Sequence, residues 1–135
     1  MALQFSTALR NAHADRIESY VGASAIMKIR SGSVPANCAA ADSGTVLATL
    51  NLPADWMNDA SAGAVTLKGT WQDTSCEATG TAGHFRIYRS DGTTCELQGT
   101  VTATGGGGDI TRSSTSLVSG GSLTITSFTI TEGNS

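Results

Sequence analysis

Residues 83–102, GHFRIYRSDGTTCELQGTVT, constrain the fold more than any other stretch of the chain. Phe85 and Ile87 alternate with His84, Arg86 and Tyr88 ahead of Ser90-Asp91-Gly92, and Cys95, Leu97 and Val101 alternate with Glu96, Gln98 and Thr100 after it. A period of two on both sides of a turn is the pattern of a β-hairpin with one face inward. Gly92 supplies the positive φ that a tight turn needs, and Asp91 before it completes a favoured turn pair. The alternation sends Phe85, Ile87, Cys95, Leu97 and Val101 into a core and leaves His84, Arg86 and Tyr88 on a solvated face.

Other segments supply strands to pair with this hairpin. Residues 25–30 set Met27 and Ile29 against Lys28 and Arg30, residues 45–52 put Val46, Ala48, Leu50 and Leu52 on one side before Pro53, and residues 64–71 do the same with Val65, Leu67 and Trp71. In residues 123–130 the apolar set runs Leu123, Ile125 and then Phe128, Ile130, so its phase slips by one at Ser127, as a β-bulge would make it. A weaker strand falls within residues 109–118. The connections are small and polar: residues 31–43 around Pro35, residues 53–63 with Trp56 as a lid over the core edge, residues 72–82, and a mobile turn at the four glycines 105–108. One helix precedes the strands. Leu9, Ala12, Ile17, Tyr20 and Val21 fall near one side of a 3.6-residue period that starts at a capping Ser6 or Thr7 and stops at Gly22. The expected fold is mainly β, an antiparallel β-sandwich (jelly-roll-like or immunoglobulin-like) with one N-terminal α-helix; residues 1–22 form the helix or arm and residues 23–135 the sandwich.

Composition narrows the partners. Only 14% of the 135 residues are charged, whereas 19 Thr and 16 Ser are present, so the strand exteriors are hydroxyl-rich rather than ionic. The net charge of −3 and the scattered Lys and Arg give no basic footprint for nucleic acid. No run approaches the roughly 20 apolar residues that span a bilayer, and charges interrupt the first 20 residues where a secretory signal needs an apolar core. These features predict a soluble, uncleaved intracellular product with neither nucleic acid nor membrane as partner.

The inventory of reactive groups is thin. Cys38, Cys76 and Cys95 lack CxxC spacing, which argues against zinc. Cys95 reads as a small buried hydrophobe, while Cys38 and Cys76 stay free, pair with each other, or pair across a subunit contact under oxidising conditions. His13 and His84 are the only histidines, and no nucleophile elbow or paired metal ligands accompany them; Asp55, Asp59 and Asp73 are separated by loops. The four glycines are not followed by Gly-Lys-Ser/Thr and open no helix, so they do not read as a phosphate loop. No catalytic residue, cofactor site or metal site is assigned. Two surface candidates remain: His84, Arg86 and Tyr88 on the hairpin's outer face, and Leu3, Phe5, Leu9 and Ile17 as a partner contact. Leu3 and Phe5 lie outside the helix stripe, so they either dock on a neighbour or fold back to close their own core.

The ordered set ALRNAHADRIESYVGASAIMKIRSG, PANCAAADSGTVLATLNLPADWM and GTWQDTSCEATGTAGHFRIYRSDGTTCELQGTVT resembles a family of small tailed-bacteriophage proteins encoded among virion structural genes. The likeness covers nearly the whole chain, thins from Gly105 onward, and rests on the pattern of small residues. It implies a non-enzymatic virion structural protein, made in the host cytoplasm and carried in the virion. Its implied partners are copies of itself, as a homo-oligomer, and other virion proteins, the major capsid protein first among them. A capsid decoration or cement protein is the leading form, and a neck, collar, tail or fibre component the alternative. A carbohydrate- or host-surface-binding module using Trp56, Trp71 or Tyr88 as stacking platforms is a third, different class.

Overall fold

The expected hairpin is the middle of the larger sheet. A computed structural model describes residues 3–132, so the outer bounds of the expected arm and sandwich lie outside the described residues. Strands β5 (Gly80–Tyr88) and β6 (Cys95–Ala103) pair antiparallel around a turn in which Asp91 Oδ1 accepts from the Thr93 and Thr94 amides, each at 2.9 Å. β1 (Ile26–Ser31) flanks β5, β2 (Val46–Asn51) flanks β1, and β7 (Ile110–Arg112) lies outside β6, giving the order β2-β1-β5-β6-β7 with the short β8 (Ser116–Leu117) on the start of β5. The registers Met27↔Leu50, Met27↔Ile87 and Ile87↔Leu97 line up one apolar face, with Ala48, Ile29 and Phe85 beside them.

One pair departs from the antiparallel expectation. β7 runs parallel to β6, with Val101 opposite Ile110. Parallel neighbours ordinarily need a crossover of about a dozen residues or more; here residues 104–109 bring the chain back beside β6 in the same direction within one loop. Gly106 N donates to Ala103 O at 2.9 Å, Gly108 N to Thr102 Oγ1 at 2.9 Å and Thr104 N to Arg112 O at 2.8 Å. A Cβ on Gly106 or Gly108 would stand 2.8 Å from the Thr102 side chain. Gly106 and Gly108 are therefore dictated by close packing onto Thr102, whereas Gly105 and Gly107 have open space around them and take positive φ of +90° and +78°.

A second layer faces the apolar side. β3 (Ala64–Thr66) pairs with β10 (Thr129–Thr131), and β4 (Trp71–Asp73) with β9 (Leu123–Ile125). Residues 64–71, expected as one strand, break at Gly69, whose φ is +79°. The partner segment breaks at the same level, so the two pairs form one interrupted ribbon. Thr66↔Thr129 and Trp71↔Ile125 differ in register by one residue, which is the slip that the apolar phase signals at Ser127. The core fills the space between layers, along a chain of rings: Phe85 to Phe128 at 5.6 Å, Phe128 to Trp71 at 5.4 Å and Trp71 to Trp56 at 5.9 Å. Such pairs contribute about 0.5–1.5 kcal/mol each beyond their area. Trp56 is fully buried rather than a lid, and its Nε1 donates to Gly22 O at 3.1 Å. The result is a mainly β, sandwich-like fold with one N-terminal helix.

That helix, α1 (Thr7–Val21), is capped as its sequence predicts: Ser6 Oγ accepts from Leu9 N at 3.1 Å, and Gly22 N returns to Glu18 O at 2.9 Å. Its inward side is not the expected stripe. Ala14 and Val21 are buried and Ile17 half-buried, but Leu9, Ala12 and Tyr20 face out. Residues 57–63 run beside the helix with backbone amides that need acceptors, and polar side chains answer them. Glu18 Oε2 accepts from Met57 N at 2.6 Å, Asp15 Oδ1 from Ala60 N at 2.7 Å and Asn11 Oδ1 from Gly63 N at 2.7 Å. Arg10 completes the set by donating to Ala62 O at 3.2 Å and Glu132 O at 3.0 Å.

Candidate functional site

The hairpin face expected in solvent is buried. His84, Arg86 and Tyr88 are 0%, 2% and 0% exposed, because residues 32–44, between β1 and β2, fold back across that side of the sheet. Arg86 pins this cover. Its Nη2 donates to the carbonyls of Asn37 (2.9 Å), Ala40 (3.1 Å) and Cys38 (3.3 Å), its Nη1 pairs with Asp42 Oδ1, and its Nε donates to Gln98 Oε1 at 3.1 Å. Asp42 also accepts from Tyr88 Oη at 2.6 Å and from Arg30 Nη2 at 3.1 Å, while Gln98 Nε2 donates to Pro35 O at 2.8 Å. His84 Nδ1 lies 2.9 Å from Gly32 O; a carbonyl only accepts, so Nδ1 carries the proton.

Two guanidiniums thus share one carboxylate under the cover. Burial pushes the Asp42 carboxyl up, but the hydrogen bonds from Tyr88 and Arg86 and the charge of Arg30 outweigh it and hold it below the usual carboxylate range. Burial, reinforced by Asp42, pushes the Tyr88 hydroxyl up, so it stays a neutral donor. Arg30 Nε and His84 Nε2 are buried without a protein partner. The cluster is built to hold the cover down, and apart from those two atoms its polar groups are committed to one another or to the cover's carbonyls. Sequence offered two signals for it: Asp42 is the only acidic residue between Glu18 and Asp55, and residues 36–44 are otherwise almost all small enough to lie flat on a sheet.

The helix-side candidates divide. Leu3 is 72% and Leu9 44% exposed, whereas Phe5 is half-buried and packs edge-on against His13 at 5.5 Å. Ile17 lines an apolar groove of about 240 Å³ between α1 and β6, together with His13, Tyr20, Val21 and Leu97. Tyr20, 52% exposed, forms its outer wall beneath the Arg89 guanidinium, 4.5 Å above the ring, and Arg89 is tied to Glu96 at 2.9 Å. This groove was not legible as a unit in sequence, since Leu97 and the helix come from opposite ends of the hydrophobic pattern.

The structure keeps the remaining polar candidates apart. His13 stands on α1 against Phe5, while His84 is sealed under the cover. Asp55 pairs with Lys68, and Asp73 accepts from Thr49 N and Ser75 N at 2.9 Å each. Among the described residues no three His, Cys, Asp or Glu side chains are grouped to hold a metal ion. Trp56, Trp71 and Tyr88 are each 0% exposed, so none offers a ring face to a sugar. Among the described residues no helix is long and apolar enough to cross a membrane. Compared with known proteins, the chain matches no family model, no curated protein and no solved structure.

Proposed function

We propose that the protein is a non-enzymatic structural component of a tailed-phage virion, binding the assembled particle as a capsid decoration or cement protein. Helix α1 and the arm before it make the contact. The observation that carries this proposal is the helix's divided loyalty: Asn11, Asp15 and Glu18 fasten its polar side to residues 57–63, leaving Leu3, Leu9 and Tyr20 outward, Tyr20 on the wall of the apolar groove. Burying each such leucine on a partner contributes about 1.5–3 kcal/mol, which accumulates when copies repeat over a lattice. The weakly charged, hydroxyl-rich surface lets copies of the chain approach one another at little desolvation cost, so self-association accompanies binding. The resemblance to phage virion proteins supplies the partner.

Deleting residues 1–5 and replacing Leu9 with serine tests this by co-sedimentation with emptied capsids and with isolated tails. Lost capsid binding at an unchanged melting temperature is the expected result. Binding to tails alone selects the neck or tail role. Retained binding with a lowered melting temperature overturns the docking role and shows that the arm closes its own core.

A further inference from the structure

We infer that Cys38 and Cys95 form a redox-closable pair, a disulfide site that ties the 32–44 cover covalently to β6. The placement follows from a bulge. Ile87 faces Leu97, but Tyr88 faces Cys95, so Glu96 is an extra residue in β6. That insertion turns Cys95 away from the core face, where simple alternation puts it, to the side of Tyr88 and Arg86. Cys38 sits in the cover above this side, its carbonyl 3.3 Å from Arg86 Nη2. Both cysteines therefore lie on the Arg86 side of the sheet, where Cys95 Sγ donates to Leu97 O at 3.3 Å; burial first, and then the Cys38 thiol, push Cys95 up to about 12. Cys76 belongs elsewhere. It is buried on a segment whose backbone bonds to Gly120 and Gly121, with Asp73 and Glu77 as its charged neighbours, so the Cys38–Cys76 pairing that sequence left open is not the one the fold prepares.

Glutathione disulfide is a sufficient oxidant. The Cys38 sulfur gives up its proton and attacks one sulfur of glutathione disulfide, forming a mixed disulfide and expelling one glutathione thiolate. Cys95 then gives up its proton and attacks the Cys38 sulfur, forming the Cys38–Cys95 bond and releasing the second glutathione. Overall the two protein thiols lose two protons and two electrons, and the oxidant is reduced to two thiols. Without oxidant, only non-covalent bonds from Arg86, Arg30, Tyr88, His84 and Gln98 hold the cover.

Reduced full-length protein incubated with glutathione disulfide, then analysed by non-reducing intact mass and peptide mapping, tests the pair. Wild type and Cys76→Ser should lose two hydrogens per chain and yield a peptide cross-linked between Cys38 and Cys95. Their melting temperature should rise by roughly 10 °C and fall back with dithiothreitol. Cys38→Ser and Cys95→Ser should form no internal link. Iodoacetamide labelling of wild type before and after oxidation reads the same pair without any variant, as joint protection of Cys38 and Cys95. A cross-link to Cys76, a covalent dimer, a persistent glutathione adduct on wild type, or an unchanged mass would each overturn the inference.

Discussion

Arg86→Met keeps most of the side chain's volume and deletes its bonds to Gln98, Asp42, Asn37, Cys38 and Ala40. Breaking a buried ion pair from one side costs about 3–5 kcal/mol. The lower end applies here, because Asp42 is 40% exposed and keeps Arg30 and Tyr88, and water can reach the freed carbonyls of the cover. A loss of about 3 kcal/mol corresponds to a fall of roughly 10 °C in melting temperature for a domain of this size. Urea unfolding followed by tryptophan fluorescence measures it, since Trp56 and Trp71 are both fully buried. Limited proteolysis within residues 32–44 should accelerate in parallel. Combined with Asp42→Asn, the loss should fall short of the sum of the two single changes, because they share one interaction. A loss below about 1 kcal/mol, with the cover still protected, would refute the assignment of Arg86 as its anchor.

Acid should weaken the same clamp. The Asp42 carboxyl is depressed, so its contribution is present above the unfolded value of about 3.9 and is lost as pH falls through the lower folded value. Burial raises Glu18 and Glu77 and works in the opposite direction, so the diagnostic is the difference between wild type and Asp42→Asn in urea midpoint against pH. Parallel curves would remove Asp42 from the acid response. Asp91, held at about 2 chiefly by the Thr94 hydroxyl and the Thr94 and Thr93 amides, should keep the hairpin turn formed further into acid, visible in the Thr93 and Thr94 amide shifts. Ile87→Ala, at a fully buried site, should cost about 2–5 kcal/mol. Leu97→Ala, half-buried at the groove, should cost clearly less; equal losses would contradict the two positions' burial.

The hairpin register, the helix caps and the slip at Ser127 were legible because each is a local pattern: alternation, a capping hydroxyl, a change of phase. The inward helix face is hidden from apolar periodicity because polar side chains that answer backbone amides, Asn11, Asp15 and Glu18, outweigh an apolar stripe. Cys95 was assigned to the wrong face because one extra residue, Glu96, reverses side-chain direction without disturbing the look of the sequence. His84, Arg86 and Tyr88 alternate as a solvated face does, and nothing within the strand reveals that a loop 40 to 50 positions earlier covers them. The parallel β7 is invisible for a related reason, since four glycines look the same in a slack linker and in a loop where two of them pack against Thr102.

The interrupted ribbon also sets the order of events when the chain folds. β5 and β6 meet across a short turn, so this hairpin closes early, but its apolar face gains a second layer only when Trp71 meets Ile125 and Ala64 meets Thr131. Pairings so distant along the chain close slowly, on the millisecond-to-second scale typical of non-local β topologies. Until residues 123–131 arrive, Phe85 and Trp71 lack the Phe128 ring that packs against both. The second layer is therefore completed only by the last strands of the chain, although most of the core comes from earlier residues.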